Sequence, residues 1–246
     1  MKVAAFERFT FLPKDRGQRE EFFRVFLKQV YFTYFQAMPL LSIMALFAGL
    51  MVAAQVKLGL SLMGGSSKLG HFLIVILFRE LAPFLSGLVL ITRSATACAS
   101  ELATMKVQGE VEALEAMGID FRQYILGPRI LAGTVSIVCM GIYFVLIGLL
   151  GAWTGANFFG HYPFSELISQ FATELEPLDI VFFLTKTATI GLVVFRLASK
   201  IGLSLNRAPF EVPIVTNRAV VECLFASLGL QLFLSLVFYL LIGVSV

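Results

Sequence analysis

The chain has 246 residues, 58% of them hydrophobic and 14% charged, with a formal net charge of +3. A water-soluble domain carries about 25% charged residues, so the composition excludes a soluble globular enzyme and calls for a lipid solvent. The mild positive balance gives no argument for nucleic acid as a partner and is explained by membrane topology.

Residues 1–35 read as an N-terminal cytoplasmic and interfacial unit. Lys2, Glu7, Arg8, Lys14, Asp15 and Arg16 do not make the basic start, apolar stretch and small-residue cleavage site of a signal peptide. Over 18–35, Arg19, Glu20, Glu21, Arg24 and Lys28 alternate at helical spacing with Phe22, Phe23, Phe26, Leu27 and Val30, the pattern of a helix lying in the membrane interface. Residues 36–246 read as a five-span unit, each span judged against the roughly 20 apolar residues a bilayer needs. The first covers about 36–56 and is followed by a loop rich in Gly64, Gly65, Ser66 and Ser67. The second runs from Leu69 to about Ala99, with Pro83 as an expected kink. The third covers about 124–153, the fourth 178–199 and the fifth 219–244, with a short surface helix expected in 154–177. Gly141, Gly148, Gly151 and Gly155 suggest a close-packing face on the third span that contributes to a dimer contact.

With the N-terminus in the cytoplasm, all lysines and arginines except Lys57, Lys68, Arg79 and Lys186 fall on the cytoplasmic side or at its border. That bias fixes the orientation expected: the C-terminus lies outside, and the polar stretch 101–122 faces the cytoplasm. Within this stretch Glu110, Glu112 and Glu115 alternate with Val111, Ala113, Leu114 and Met117, which predicts a short amphipathic helix. Gly118 suits its C-terminal cap, and Asp120 with Gln123 resembles a capping box for the next span. A short helix held between two spans is suited to dock into a partner and to pass that partner's movement to both.

Three charges stand inside spans. Arg79 and Glu80 lie about ten residues into the second, or about 15 Å at 1.5 Å per residue, and Lys186 lies at comparable depth in the fourth. Each would cost roughly 2.5–3.5 kcal/mol facing lipid at the membrane centre, so all three are expected to face protein or a wet cavity. Neighbouring helical residues point about 100° apart, so Arg79 and Glu80 do not pair face to face. Glu80 is expected to pair with Lys186 or with Arg79 of a second subunit. These charges either fix helix packing or line a cavity for a lipid headgroup. Arg93, near the cytoplasmic end, is expected to reach toward headgroup phosphates. Cys98, Cys139 and Cys223 lack metal or disulfide spacing, and His71 and His161 read as surface residues rather than metal ligands.

The order Glu101-Leu-Ala-Thr-Met-Lys106-Val-Gln-Gly-Glu110-Val-Glu112-Ala113-Leu114-Glu115-Ala-Met117-Gly118-Ile-Asp120, with Phe78-Arg-Glu-Leu-Ala-Pro83 before it and Gly127-Pro-Arg129 after it, resembles the MlaE/YrbE family. These are ABC-transporter permeases that work with MCE proteins in lipid trafficking. The resemblance covers about 35–246 and is strongest over 69–133. This chain departs from the family pattern at Ala103, Gly109 and Phe121, in the loop 206–213 with Pro209 and Pro213, and at Gln231, where an acid is common.

The resemblance implies that 107–118 is the coupling helix for a separate ATPase subunit, with Glu101, Lys106, Glu110, Glu112, Ala113, Leu114, Glu115, Met117 and Gly118 as its contact set. It also implies a second permease copy, an MCE-domain lipid-binding partner and the bacterial inner membrane. The chain has no G-x-x-x-x-G-K-[ST] phosphate loop, so it is expected to bind no cofactor itself, ATP being bound by the partner subunit. The competing reading is an autonomous secondary carrier or membrane-embedded enzyme using Arg79, Glu80 and Lys186. Five spans without an internal repeat argue against a carrier, and no catalytic constellation supports an enzyme.

Overall fold

A bilayer interior offers backbone amides no water, so spanning segments must satisfy their hydrogen bonds within themselves as helices or closed barrels. The computed structural model describes residues 16–63, 69–158, 160–205 and 209–244, and within these it is helical and without strands. The basic residues before Arg16, the loop Gly64–Ser67 with Lys68, and Asn206 and Arg207 of the divergent loop lie outside the described residues.

Helix α1 spans Arg16–Met63 and α2 spans Leu69–Val107. The short α3 covers Glu110–Ala116, α4 covers Arg122–Asn157 and α5 covers Phe164–Glu174. Helix α6 is Pro177–Gly202, and α7 is Val212–Val244 after a single 3₁₀ turn at Pro209–Glu211. Five of these helices (α1, α2, α4, α6 and α7) are long and apolar enough to cross a membrane, as composition requires, and α5 is the surface helix expected between the third and fourth.

The N-terminal amphipathic segment and the first span are not separate. They form one 48-residue helix that carries Pro39 inside it. No glycine or helix-capping Asx residue stands between Gln29 and Met38, and a lone proline bends a helix without ending it when neighbouring elements hold both sides. Helix α2 is also longer than the sequence suggested, because it continues past Ala99 to Val107.

The most extensive contact in the bundle is α1 against α4, and glycine makes it possible. A Cβ on Gly49 would stand 1.9 Å from the carbonyl oxygen of Gly148, one on Gly151 2.1 Å from that of Leu46, and one on Gly155 2.4 Å from that of Leu50. The backbones therefore touch directly, the close approach that small residues allow in lipid. This corrects the expectation of a dimer contact: within the chain Gly151 and Gly155 face α1, Gly148 faces Leu77 of α2 while its carbonyl meets Gly49, and Gly141 faces Phe183 of α6. Gly151→Ala is expected to force α1 and α4 apart and to destabilise the chain by about 1–3 kcal/mol, the usual range for overpacking. Thermal unfolding in detergent reads this directly, and a Gly59→Ala control, with nothing within 4 Å of its added methyl, should not destabilise and should gain up to about 1 kcal/mol of helix propensity.

Helix α7 is packed more thinly. It touches α6 and the second half of α2, while Phe225, Leu232, Phe233 and Leu236 are exposed. At the end of the bundle away from α3, α5 lies across the start of α2, where His71 Nδ1 meets Glu174 Oε2 at 3.2 Å and Phe78 packs edge-on to Phe171.

Candidate functional site

The first candidate site is built around a defect in α2. Pro83 has no N–H to offer the carbonyl of Arg79 four residues earlier. The preceding nine residues, Leu73–Leu81, widen into a π-helix, in which Ala82 donates to the carbonyl of Leu77. Such segments are rare and concentrate at functional sites. Side chains from two other helices meet the carbonyls thus turned outward. Lys186 Nζ of α6 donates to Arg79 O at 2.9 Å, and Gln231 Nε2 of α7 donates to Glu80 O at 3.0 Å.

The same ammonium pairs with Glu80 Oε2 at 2.9 Å and donates to Ser235 Oγ at 2.8 Å, while the Ser235 hydroxyl lies 3.0 Å from that Glu80 oxygen. Lys186 is fully buried, so it makes three polar contacts in place of the water it has lost. Of the two partners expected for Glu80, Lys186 of the same chain is the one found. Arg79 points away from Glu80, as 100° of helical rotation requires. Its Nη2 instead meets Asp179 Oδ1 at 2.6 Å, below the ring of Phe238, 5.2 Å from the guanidinium carbon.

Asp179 was not singled out from the sequence. It lies two residues inside the start of α6, where its Oδ2 accepts from the backbone N–H of Glu176 as half of a capping box. The Glu176-Pro-Leu-Asp179 spacing reads as a helix start and hides the second task. The cluster thus holds two cations and two anions and is neutral overall. It is not fully closed: the Glu80 side chain is 32% exposed, and its Oε1 has no hydrogen-bond partner among the described residues.

The second candidate site is the polar segment after α2. Gly109, at φ +76°, turns the chain out of α2 and into α3. At the far end Gly118, also at φ +76°, donates to Glu115 O, and Ile119 N donates to Leu114 O. This is the Schellman closure that a glycine in the left-handed region permits, in agreement with the cap expected at Gly118. The helix is shorter than the expected 107–118, since Val107 still belongs to α2 and only Glu110–Ala116 is regular. The carboxylate of Asp120 accepts from the N–H of Arg122, two residues on rather than three. This replaces the expected pairing with Gln123, because α4 opens with a π turn at Arg122–Leu126.

Val111 and Leu114 turn inward against the bundle, and Glu112 is half-buried. Glu110, Ala113, Glu115, Met117 and Gly118 are exposed. The other two residues of the expected contact set lie on the last turns of α2, before α3 begins. Lys106 Nζ donates to the carbonyl of Leu203 beyond the end of α6. Glu101 Oε1 accepts from Arg129 Nη2 at the start of α4, at 2.7 Å. Helix α3 therefore continues from a stretch of α2 that is itself bonded to α6 through Lys106 and to α4 through Glu101.

The profile of the family described as Permease MlaE matches residues 26–237 of this chain. The chain belongs to the MlaE permease family. Among relatives of this MlaE-family chain, a probable ABC transporter permease of Rickettsia bellii is 26% identical over 201 residues, 82% of this chain and 78% of that one. A probable ABC transporter permease of Synechocystis is 27% identical over 203 residues, 81% of this chain and 76% of the relative. The intermembrane phospholipid transport system permease MlaE of Haemophilus influenzae is 26% identical over 148 residues, 58% of this chain and 57% of its own length. An MlaE-family permease with five apolar helices is a multi-pass membrane protein. Its two distinctive polar assemblies are the neutral cluster within the spans and the α3 segment at one end.

Proposed function

We propose that the chain is the permease subunit of an ABC transporter that moves phospholipid or a related lipid. It works between the bacterial inner membrane and an MCE-type periplasmic partner, driven by a separate ATPase. The observation that carries this reading is α3, which presents Ala113 and Met117 outward while the end of α2, from which it continues, is bonded to α4 and α6. A rigid-body push on such a helix is delivered to three spans at once. Two permease copies and two ATPase subunits complete the transporter, with the N-terminus and α3 in the cytoplasm and the C-terminus in the periplasm.

In this reading the lipid path passes Arg79, Glu80 and Lys186. A neutral cluster with both signs of charge can receive a phosphate beside its cations and an amine beside its carboxylates without carrying a counterion. Pairing within the cluster keeps the charges affordable in lipid until the headgroup arrives. The relatives named as ABC permeases and as a phospholipid transport permease support the same assignment.

The test is reconstitution. The chain purified with its ATPase should move a labelled phospholipid between vesicles and an MCE-type acceptor only when ATP is supplied. Transport by the isolated chain without ATP or partners would overturn the proposal. Lys106→Met should leave the ATPase bound and hydrolysing ATP while lipid transfer per ATP falls about tenfold, since a charge-assisted bond of roughly 1.5–3 kcal/mol is removed between the end of α2 and α6. Unchanged transfer per ATP would show that α6 does not receive the push through Lys106.

A further inference from the structure

A second polar cavity, of about 170 Å³, lies between α1 and the latter part of α2 and is lined by Gln29, Thr33, Gln36, Arg93, Ser94 and Ala97 among others. We infer that this cavity binds the phosphate of an anionic phospholipid in the leaflet on the α3 side, with Arg93 as its principal ligand. It is separate from the Glu80–Lys186 cluster and shares no residue with it.

Depth places the cavity at a headgroup. Arg93 lies 24 residues beyond Leu69 along α2, at most about 36 Å at the α-helical 1.5 Å per residue and less through the wider π turns, which puts it at the edge of the roughly 30 Å of hydrocarbon. On α1, Gln36 lies about 32 Å from Lys57 by the same measure, so both walls reach the interface together. Naming that leaflet as the cytoplasmic one rests on the orientation proposed above.

The chemistry is that of an anion receptor. The lining includes one full positive charge and no carboxylate. A second π segment, Leu90–Ala95, sets the direction of Arg93, and Arg93 Nη1 donates to the backbone carbonyl of Gln36 next to the Pro39 bend. That bond holds the guanidinium against α1 with the rest of its planar donor fork directed elsewhere, and such a fork matches phosphate oxygens.

Thr33 supplies the second observation. It is 2% exposed, and its hydroxyl has no partner among the described residues. By contrast Thr104, Thr134, Thr187, Thr189 and Thr216 each bond back to the carbonyl four residues earlier. A buried hydroxyl left uncommitted is costly, and here it stands in the wall of a cationic cavity with Ser94 and two glutamines. Basic pockets between helices on the cytoplasmic side are a recurrent form of anionic lipid recognition.

The full chain, purified with whatever partners accompany it, can be titrated with dioctanoyl phosphatidylglycerol and read by native mass spectrometry. Arg93→Gln is expected to weaken binding by about tenfold or more, the loss of a charge-assisted phosphate contact, while Arg93→Lys should recover a good part of it. Ala97→Phe, which fills the cavity and keeps the charge, should weaken binding as well and decides the matter if Arg93→Gln does not fold. Inorganic phosphate and glycerol 1-phosphate at millimolar concentration should not displace the lipid. The loss caused by Arg93→Gln should be the same in the wild-type and the Glu80→Gln/Lys186→Met backgrounds, so Arg93-dependent binding is read apart from any lipid held on the transport path, and a failure of the transport-path reading would leave this result intact. Equal binding by wild type, Arg93→Gln and Ala97→Phe overturns the proposal. Displacement of the lipid by inorganic phosphate also overturns it, by making the cavity a site for free anions.

Discussion

Lys186→Met is expected to stop lipid transport and to lower the stability of the chain by about 3–5 kcal/mol, the cost of breaking a buried ion pair from one side. The ammonium is fully buried and holds together three helices: the Arg79 carbonyl and Glu80 carboxylate of α2 and the Ser235 hydroxyl of α7. Methionine fills the space but leaves the carboxylate without a counter-charge and the carbonyl beside Pro83 without a donor. The informative experiment adds Glu80→Gln to it. Replacing both members removes the stranded charge, and a buried pair exchanged for neutral groups is often no less stable than the original, so the double variant should regain most of the lost stability. Its transport separates the two roles open to these charges. If they only fix packing, transport returns with stability. If they receive a headgroup, as proposed, the double variant is stable and inactive, measured as ATP-driven lipid transfer at matched protein levels.

Met117→Asp is expected to release the ATPase while the permease itself stays folded. Met117 is 65% exposed at the end of α3, so within the chain alone its substitution should change stability by no more than about 0.5 kcal/mol. At a partner's groove the same change buries an unmatched carboxylate among residues already rich in acid, Glu110 and Glu115 on the same short helix. Truncating a central interface anchor costs about 2 kcal/mol or more, roughly 30-fold in affinity, and the added charge deepens the loss. Co-purification of the ATPase and lipid-stimulated ATP hydrolysis should fall together. Leu114→Asp gives the contrast, because Leu114 faces the bundle and its replacement should unseat α3 and reduce thermal stability as well. Co-purification unchanged by Met117→Asp would mean that the ATPase docks elsewhere.

The five spans, the outward turn at α3 and the Glu80–Lys186 pair were legible from residue type and spacing alone. Hydrophobic length marks a span, Gly118 marks a helix end, and two opposite charges inside a membrane have few alternatives to each other. What stayed hidden is local in sequence but tertiary in cause. Asp179 looks like a capping residue and is one, and only folding shows that its other oxygen meets Arg79. The glycines of α4 announce a close-packed face but not the partner, and α1 claims that face through Gly49, Leu46 and Leu50. Gln231 drew notice as a missing acid. Its use is to donate to the backbone carbonyl of Glu80 in the π segment, a role that an amide donor serves and an ionised acid does not.

The two π segments of α2 have a consequence for how this sequence can change by insertion or deletion. A π turn accommodates one more residue than the α turn it interrupts. Arg79 and Glu80 lie within the first such segment and Arg93 within the second, with α3 hinged beyond both at Gly109. Removing one residue from 73–81 and letting the helix relax to α geometry can therefore leave both flanks in phase. The loss falls on the segment itself, whose widened turns present the Arg79 and Glu80 carbonyls to Lys186 and Gln231. Losing a residue from a surface loop has no such effect. In α2 the count of residues is itself part of the machinery, and a single-codon deletion there should be worse tolerated than most single substitutions.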